Sequence, residues 1–109
     1  MTLPATNLMK IQNDGQKLCV SEIPELSAVN SDQFRDDVQA AMPSSLNVIE
    51  IDLSQTRFVD SCGLGALFAL YKSAGHNGAV ALRLLNPTPP IQQLFELTQM
   101  HQLFEIVRR

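Results

Sequence analysis

The sequence predicts an α/β domain with a mixed, mostly parallel β-sheet packed with helices. Apolar, strand-like segments alternate with segments of helical apolar spacing at intervals of roughly 25 to 30 residues, which is the length of a strand–helix crossover. Near the N-terminus, two alternating segments instead flank Asn13-Asp14-Gly15, a sequence typical of a tight hairpin turn. The predicted order is therefore β-β-α-β-α-β-α-β, with the hairpin adding an antiparallel edge strand.

The first half of the chain contains the hairpin and the first helix. Apolar and polar residues alternate over residues 9–12 and again over 18–21, as in half-buried strands, and Pro24 ends the second strand. Asn30-Ser31-Asp32 predicts a helix start, with Asn30 as a side-chain cap and an acid in the first turn. One apolar face follows at helical spacing, formed by Phe34, Val38, Ala41 and Met42. Pro43-Ser44-Ser45 is expected to stop this helix.

The second half alternates strands with helices. Val48 to Leu53 predicts a central strand whose polar residues, Glu50 and Asp52, lie near its ends or at a partly exposed face. A helix is expected from the run Asp60–Gly65 to about Ser73, with a stop at residues 75–78.

A strand, a helix and a last strand complete the predicted chain. The strand spans Ala79 to Leu85, and the helix begins with Thr88 as N-cap and Pro89 in its first position. Residues 103–107 are expected to form a short final strand.

Composition limits the class of protein. The 109 residues, 45% hydrophobic and 17% charged, predict one globular domain with a core over about residues 8–107. A net charge of −3 disfavours nucleic acid as a partner. No segment is apolar enough to insert in a membrane, and no signal peptide is visible, so a cytosolic location is expected. Cys19 and Cys62 lie far apart and lack ligand-like spacing, which argues against a disulfide framework or a metal site. The basic pair Arg108-Arg109 is expected to be a solvated tail.

The run Phe58–Gly65 contains the candidate site. A turn of small residues between a strand and a helix exposes hydroxyl, thiol and backbone N–H groups, which suit a phosphate or an acidic group of a partner. Ser61 is expected to cap the helix. Cys62 is either a small residue that preserves the shape of the surface or an oxidisable thiol, and Gly63 and Gly65 permit close approach of another backbone. Without Gly-x-Gly-x-x-Gly spacing or a nearby lysine, no nucleotide or other cofactor is predicted.

The segment Asp60-Ser61-Cys62-Gly63-Leu64-Gly65 closely resembles the Asp-Ser-Ser/Thr-Gly-Leu-Gly segment of STAS domains, the family of anti-sigma-factor antagonists. Further stretches resemble the family's strands, turn and C-terminal helix: Ile49–Leu53, Leu84–Pro87, Leu94–Thr98 and Leu103–Ile106. The resemblance spans about residues 10–107 and implies the same fold as the pattern of elements.

In that family, the domain binds an anti-sigma factor that is a serine kinase of the GHKL type. Phosphorylation of the second hydroxyl residue in the segment reverses the binding. Cys62 occupies that position here, so the resemblance implies a lost phosphoacceptor, with Ser61 as the remaining candidate for modification. Ser27 stands where the family often has an acid.

The resemblance therefore implies a bacterial, cytosolic, regulatory protein–protein interaction domain rather than an enzyme. We expect its partner to contact Ser27 and the residues of the helix start, which are Asp60, Ser61, Cys62, Gly63, Leu64 and Gly65. The alternative is a STAS scaffold subunit of a transport or stress-signalling complex, with another protein subunit as partner. No triad or paired carboxylates that would support catalysis are visible.

Overall fold

The computed structural model describes residues 9–42, 47–76 and 80–109. The elements follow in the order β1 (Lys10–Asp14), β2 (Lys17–Ser21), β3 (Glu25–Leu26), α1 (Ser31–Ala41), β4 (Val48–Asp52), β5 (Phe58–Val59), α2 (Ser61–His76), β6 (Ala81–Leu85), α3 (Pro89–Leu97), a 3-10 helix (Met100–Gln102) and β7 (Glu105–Val107). The predicted helix stop at residues 43–45 lies outside the described residues, as does the start of the predicted strand at Ala79.

The main sheet has the predicted mixed, mostly parallel topology. Its five strands are ordered β1-β2-β4-β6-β7, with β1 antiparallel to β2 and all other neighbours parallel. A second, two-stranded parallel ribbon pairs β3 with β5 and was not predicted. The ribbon is extended at both ends by hydrogen bonds from the Arg57 N–H to the Pro24 carbonyl at 3.0 Å and from the Asp60 N–H to the Leu26 carbonyl at 3.1 Å.

The hydrophobic core lies on one face of the main sheet. Alternate residues of the three central strands are buried there: Leu18, Val20, Ile49, Ile51, Leu82 and Leu84. They form one cluster with the buried residues of the three helices, including Phe34 of α1, Leu67 and Leu70 of α2, and Phe95 of α3. The period of two along each strand therefore directs the apolar side chains toward the helices and leaves the polar ones on the other face.

A row of paired residues, three of them charged, crosses that other face. The row runs over the adjacent strands β2, β4, β6 and β7 and consists of Cys19, Glu50, Arg83 and Glu105. Glu50 is only 3% exposed although it lies in the middle of its strand. The prediction that it lies near a strand end or at a partly exposed surface is therefore wrong.

Cations surround the buried Glu50 carboxylate. Arg109 Nη2 lies 2.8 Å from Glu50 Oε2, Arg83 Nη1 lies 3.5 Å from the same atom, and Lys17 Nζ lies 3.6 Å from Oε1. Burial raises the pKa of Glu50, but hydrogen bonds and charge from Arg109, with Lys17 and Arg83, hold the pKa below its ordinary value. The expected solvated tail is thus wrong as well, because Arg109 covers Glu50 and Arg108 donates to the Pro87 carbonyl.

Helix ends depart from prediction in their capping bonds. Asn30 occupies the N-cap of α1, but its side chain makes no cap bond. Instead, Asn30 Nδ2 donates to the Glu25 carbonyl at 2.7 Å and Oδ1 accepts from the Ser27 N–H at 2.9 Å. The preceding loop captures the side chain because its own N–H and C=O groups also require partners. Thr88 is the N-cap of α3 with proline next, as predicted, but its hydroxyl donates to the Thr56 carbonyl.

We expect Arg109→Ala to lower the free energy of unfolding by about 1–2 kcal/mol at neutral pH, because it removes the shortest contact of a buried carboxylate while two cations remain. Because the pKa of Glu50 is lower in the folded state, its ionised form stabilises the fold at pH values above the ordinary pKa of glutamate. This contribution is lost as the pH falls through the folded-state pKa. Urea unfolding should therefore show a smaller difference between variant and wild type at about pH 3 than at neutral pH.

Arg108→Ala is the matched control, since Arg108 bonds only to neutral groups, the Pro87 carbonyl and the Gln92 amide. Its effect should not depend on pH in this way. An Arg109→Ala deficit that stays constant down to low pH would contradict the role given to Glu50.

Candidate functional site

The run Asp60–Gly65 lies where the chain leaves β5 and begins α2, at the carboxyl edge of the parallel strands. The short β3–β5 ribbon brings the segment Glu25–Asn30 beside this turn. The first turn of α2 and the loop between β3 and α1 therefore form one surface.

Asp60 is the residue that caps α2 and joins the helix to that loop. Its Oδ1 accepts from the Gly63 N–H at 3.0 Å, and its carbonyl accepts from the Leu64 N–H at 3.0 Å. Its Oδ2 accepts from the Ala28 N–H, also at 3.0 Å. The prediction that Ser61 is the cap is wrong, because the helix begins one residue earlier than that assignment requires.

The backbone donors around Asp60 also determine its charge state. Hydrogen bonds from the N–H groups of Gly63, Ala28 and, more weakly, Cys62 lower the pKa of the Asp60 carboxyl below its ordinary value, against a small opposing effect of burial. Donors that bond to a carboxylate stabilise its charged form. Asp60 therefore stays ionised at neutral pH and remains available to both amides.

Ser61 and Cys62 are exposed in the first turn of α2. Within the described part of the chain, neither side chain makes a hydrogen bond, and Cys62 is a free thiol. Both are therefore accessible to a partner or a modifying enzyme.

The two glycines of the site serve different purposes. A Cβ built at Gly63 would lie 2.1 Å from the Leu26 carbonyl oxygen, whereas one at Gly65 would meet no atom within 4 Å. The close backbone approach predicted for both glycines is thus internal at Gly63, which is buried. Gly65 is exposed and leaves a bare position on α2.

Two other predicted contact residues are partly or fully internal. Leu64 is half-buried and packs against the core. Ser27 is only 3% exposed, its hydroxyl donates to the Glu25 carboxylate, and its Oγ accepts from the Val29 N–H at 3.2 Å. The expectation that Ser27 contacts a partner directly is corrected, because the side chain shapes the loop instead.

Several exposed apolar residues adjoin the turn, and the sequence pattern did not mark them as part of the site. Val29 is 77% exposed and Phe58 is 53% exposed, on the two segments that flank the start of α2. Phe68 is 41% exposed and follows Ser61 and Gly65 along one side of the helix. We call the following set the helix-start surface: Ala28, Val29, Phe58, Ser61, Cys62, Gly65 and Phe68. Only Phe58 had a sequence signal, since it alternates with the buried Val59.

In residues 9–42, 47–76 and 80–109, no group of three His, Cys, Asp or Glu residues is placed to hold a metal ion. Among the same residues, no helix has both the length and the hydropathy needed to cross a membrane. What the site presents is an uncharged helix turn, formed by Ser61, Cys62 and Gly65, beside exposed Phe58 and Phe68. Interface cores are likewise poor in charged residues and enriched in aromatic ones.

Comparison with known proteins identifies the family. Residues 8–109 match the model of the STAS domain. A proposed anti-sigma factor antagonist of Thermotoga maritima superposes with a TM-score of 0.82 and 19% identity, covering 95% of this chain and 88% of that one. The anti-sigma factor antagonist SpoIIAA in its unphosphorylated form superposes with a TM-score of 0.78 and 16% identity, covering 93% of this chain and 87% of SpoIIAA. The murine anion transporter Slc26a9 superposes with a TM-score of 0.73 and 25% identity, covering 87% of this chain but 16% of the transporter.

The chain therefore belongs to the STAS-domain family, as the resemblance of the Asp60–Gly65 segment implied. The structural neighbours share its mixed, mainly parallel sheet packed with helices.

The different roles of the two glycines can be tested by adding one methyl group to each. We expect Gly63→Ala to lower the free energy of unfolding by at least about 2 kcal/mol, since the added carbon collides with backbone that cannot move aside cheaply. Gly65→Ala is the matched control and should raise it by about 0.5–1 kcal/mol, because alanine is the better helix former in open space. Equal effects of the two substitutions in urea unfolding would contradict the packing described.

The double role of Asp60 should be visible by NMR. We expect the amide proton shifts of Gly63 and Ala28 to titrate together, with a midpoint below the ordinary aspartate range, because both donate to the same carboxylate of lowered pKa. The two hydrogen bonds to Asp60 should persist at pH values above the ordinary pKa of aspartate. They should weaken as the pH falls through the folded-state pKa of Asp60.

Asp60→Asn should abolish both transitions, while Asp52→Asn, at the end of β4, should leave them in place. Independent midpoints for the two amides would disprove the link between the loop and α2.

Proposed function

Because this chain is a STAS domain, we propose that it is a regulatory, non-enzymatic interaction domain of the anti-sigma factor antagonist type. It acts by binding a protein partner through the helix-start surface. The observation that carries this proposal is the polar first turn of α2, held rigid by Asp60 and bordered by exposed Val29, Phe58 and Phe68. Exposed apolar residues grouped at one place on a small domain are typical of interaction surfaces.

The partner we propose is an anti-sigma factor related to the GHKL serine kinases, in the cytosol of a bacterium. SpoIIAA has been solved in unphosphorylated and phosphorylated forms at TM-scores of 0.78 and 0.72 to this chain. A phosphate adds about −1.5 to −2 charges, and on the first turn of α2 it would lie within a surface otherwise fitted to neutral and apolar groups. The net charge of −3 further favours a protein over a nucleic acid as partner.

Cys62 makes this domain insensitive to serine phosphorylation in our proposal. The thiol is exposed on the first turn, so a kinase can reach the position, but a serine kinase transfers phosphate to a hydroxyl. Ser61 is also exposed, but its hydroxyl lies one residue away from the position that corresponds to the family's acceptor. The domain would then be permanently competent to bind, or regulated by other means.

A scaffold role in a transport complex is the second candidate. The likeness to the murine anion transporter supports it, because the fold of this chain is found there as a segment that makes up 16% of a much larger transport protein. A subunit of this kind would bind a transporter or its ATPase rather than a kinase. Affinity measurements with purified candidates of the two classes would distinguish the proposals.

Phosphorylation of single-residue variants tests the leading proposal. We expect no phosphate on the wild type after incubation with the anti-sigma factor kinase of the same organism and ATP, and phosphate on residue 62 of Cys62→Ser, read by mass spectrometry. The modified Cys62→Ser should bind the kinase at least about tenfold more weakly than its unmodified form, because charge enters the interface.

Two controls complete the design. Cys62→Ala should retain binding and take no phosphate, and Ser61→Ala should behave as wild type. Phosphate on Ser61 of the wild type would overturn the proposed loss of the switch, and absence of binding by all variants would overturn the proposed partner.

A further inference from the structure

A cleft separate from the helix-start surface opens at the carboxyl edge of the sheet. It has a volume of 910 Å³ and lies between the β2–β3 segment, the β4–β5 loop and the start of α3. This volume is in the range of small-molecule sites. In open α/β sheets, ligands also bind beyond the carboxyl ends of the strands.

Hydrogen bonds join the three walls of the cleft. Thr56, which is buried, donates its hydroxyl to the Ile23 carbonyl at 2.7 Å, and the Arg57 N–H donates to the Pro24 carbonyl at 3.0 Å. On the other side, the Thr88 hydroxyl donates to the Thr56 carbonyl at 3.4 Å. The three walls are therefore fixed relative to one another, and a preorganised site loses less entropy on binding.

Glu22 lines one wall in an unusual backbone conformation. Its φ is +58°, in the left-handed region that asparagine and glycine adopt more readily. Non-glycine residues in such conformations occur preferentially at functional sites. Glu22 therefore combines a left-handed backbone with a carboxylate side chain at the edge of the cleft.

Arg57 places the opposite charge in the same cleft. Every other arginine of the chain makes a side-chain ion pair or hydrogen bond: Arg35, Arg83, Arg108 and Arg109. Within residues 9–42, 47–76 and 80–109, the side chains of Arg57 and Glu22 make neither. The cleft thus presents one donor group and one acceptor group of full and opposite charge.

We propose that this cleft binds a small zwitterion, of the size of an amino acid or dipeptide, with its carboxylate at Arg57 and its ammonium at Glu22. A purely anionic ligand would meet the carboxylate of Glu22, and α3 adds little for an anion because Pro89 and Pro90 lack N–H groups. A purely cationic ligand would meet Arg57. Pro24 and Pro90 supply apolar surface for the aliphatic part of the ligand.

Amide chemical-shift titration of the ¹⁵N-labelled protein tests the proposal with three matched probes: Ala-Ala, its N-acetylated form and its C-terminal amide. We expect saturable shifts at residues 22–24, 54–57 and 88–91 with Ala-Ala and a dissociation constant of about 1–10 mM. Removal of either charge from the probe should weaken binding about tenfold, the usual effect of losing a charge-assisted hydrogen bond.

Two isosteric variants assign the charges. Arg57→Gln should weaken Ala-Ala and its N-acetylated form alike, whereas Glu22→Gln should weaken Ala-Ala but leave the N-acetylated form unchanged. Arg35→Gln on α1 is the control and should change nothing. Shifts that do not saturate, equal affinity for the three probes, or preference for a singly charged probe would each overturn the proposal, and the spectra themselves report whether a variant remains folded.

Discussion

The approach of α2 to the Leu26 carbonyl is the constraint on which both surfaces of this domain depend. The absence of a side chain at Gly63 allows the first turn of the helix to lie against β3. At this distance the Asp60 N–H can pair with the Leu26 carbonyl and its carboxylate can reach the Ala28 N–H. The loop carrying Val29 is thereby fixed beside the helix start. A side chain at position 63 would push α2 away from β3 and from the loop that carries Val29.

The same ribbon also contributes to the cleft. Because β3 and β5 pair in parallel, the Arg57 N–H meets the Pro24 carbonyl, and this bond joins the two loops that form cleft walls. Buried Thr56 then connects them to Ile23 and, through its carbonyl, to the start of α3. The β3–β5 ribbon and the hydrogen bonds that extend it therefore contribute to both the helix-start surface and the cleft.

The sequence predicted the main sheet well because its signals are local. Alternation, helical spacing and a hairpin turn are properties of consecutive residues, and they sufficed to predict a mixed, mostly parallel sheet with an antiparallel edge strand. The β3–β5 ribbon was missed because two residues per strand are too few to show a period. The pairing of Arg109 with Glu50 was missed because it joins residues 59 apart. Within the site, the sequence located the turn but not its geometry. Asp60 and Ser61 are adjacent and both can cap a helix, so only the backbone hydrogen bond from Gly63 to Asp60 decides between them. That Ser27 and Gly63 face inward follows only from tertiary packing.

The structure also explains how residue 62 can change without loss of the surface. The geometry of the turn rests on the backbone of Gly63 and the carboxylate of Asp60, and the side chain of Cys62 makes no hydrogen bond to any described residue. Exchange of a hydroxyl for a thiol at this position therefore alters the chemistry that the surface offers to an enzyme while leaving the cap, the loop and the apolar border in place. In the function that we propose, binding and its control by modification are therefore physically separable, since they would depend on different atoms of the same turn.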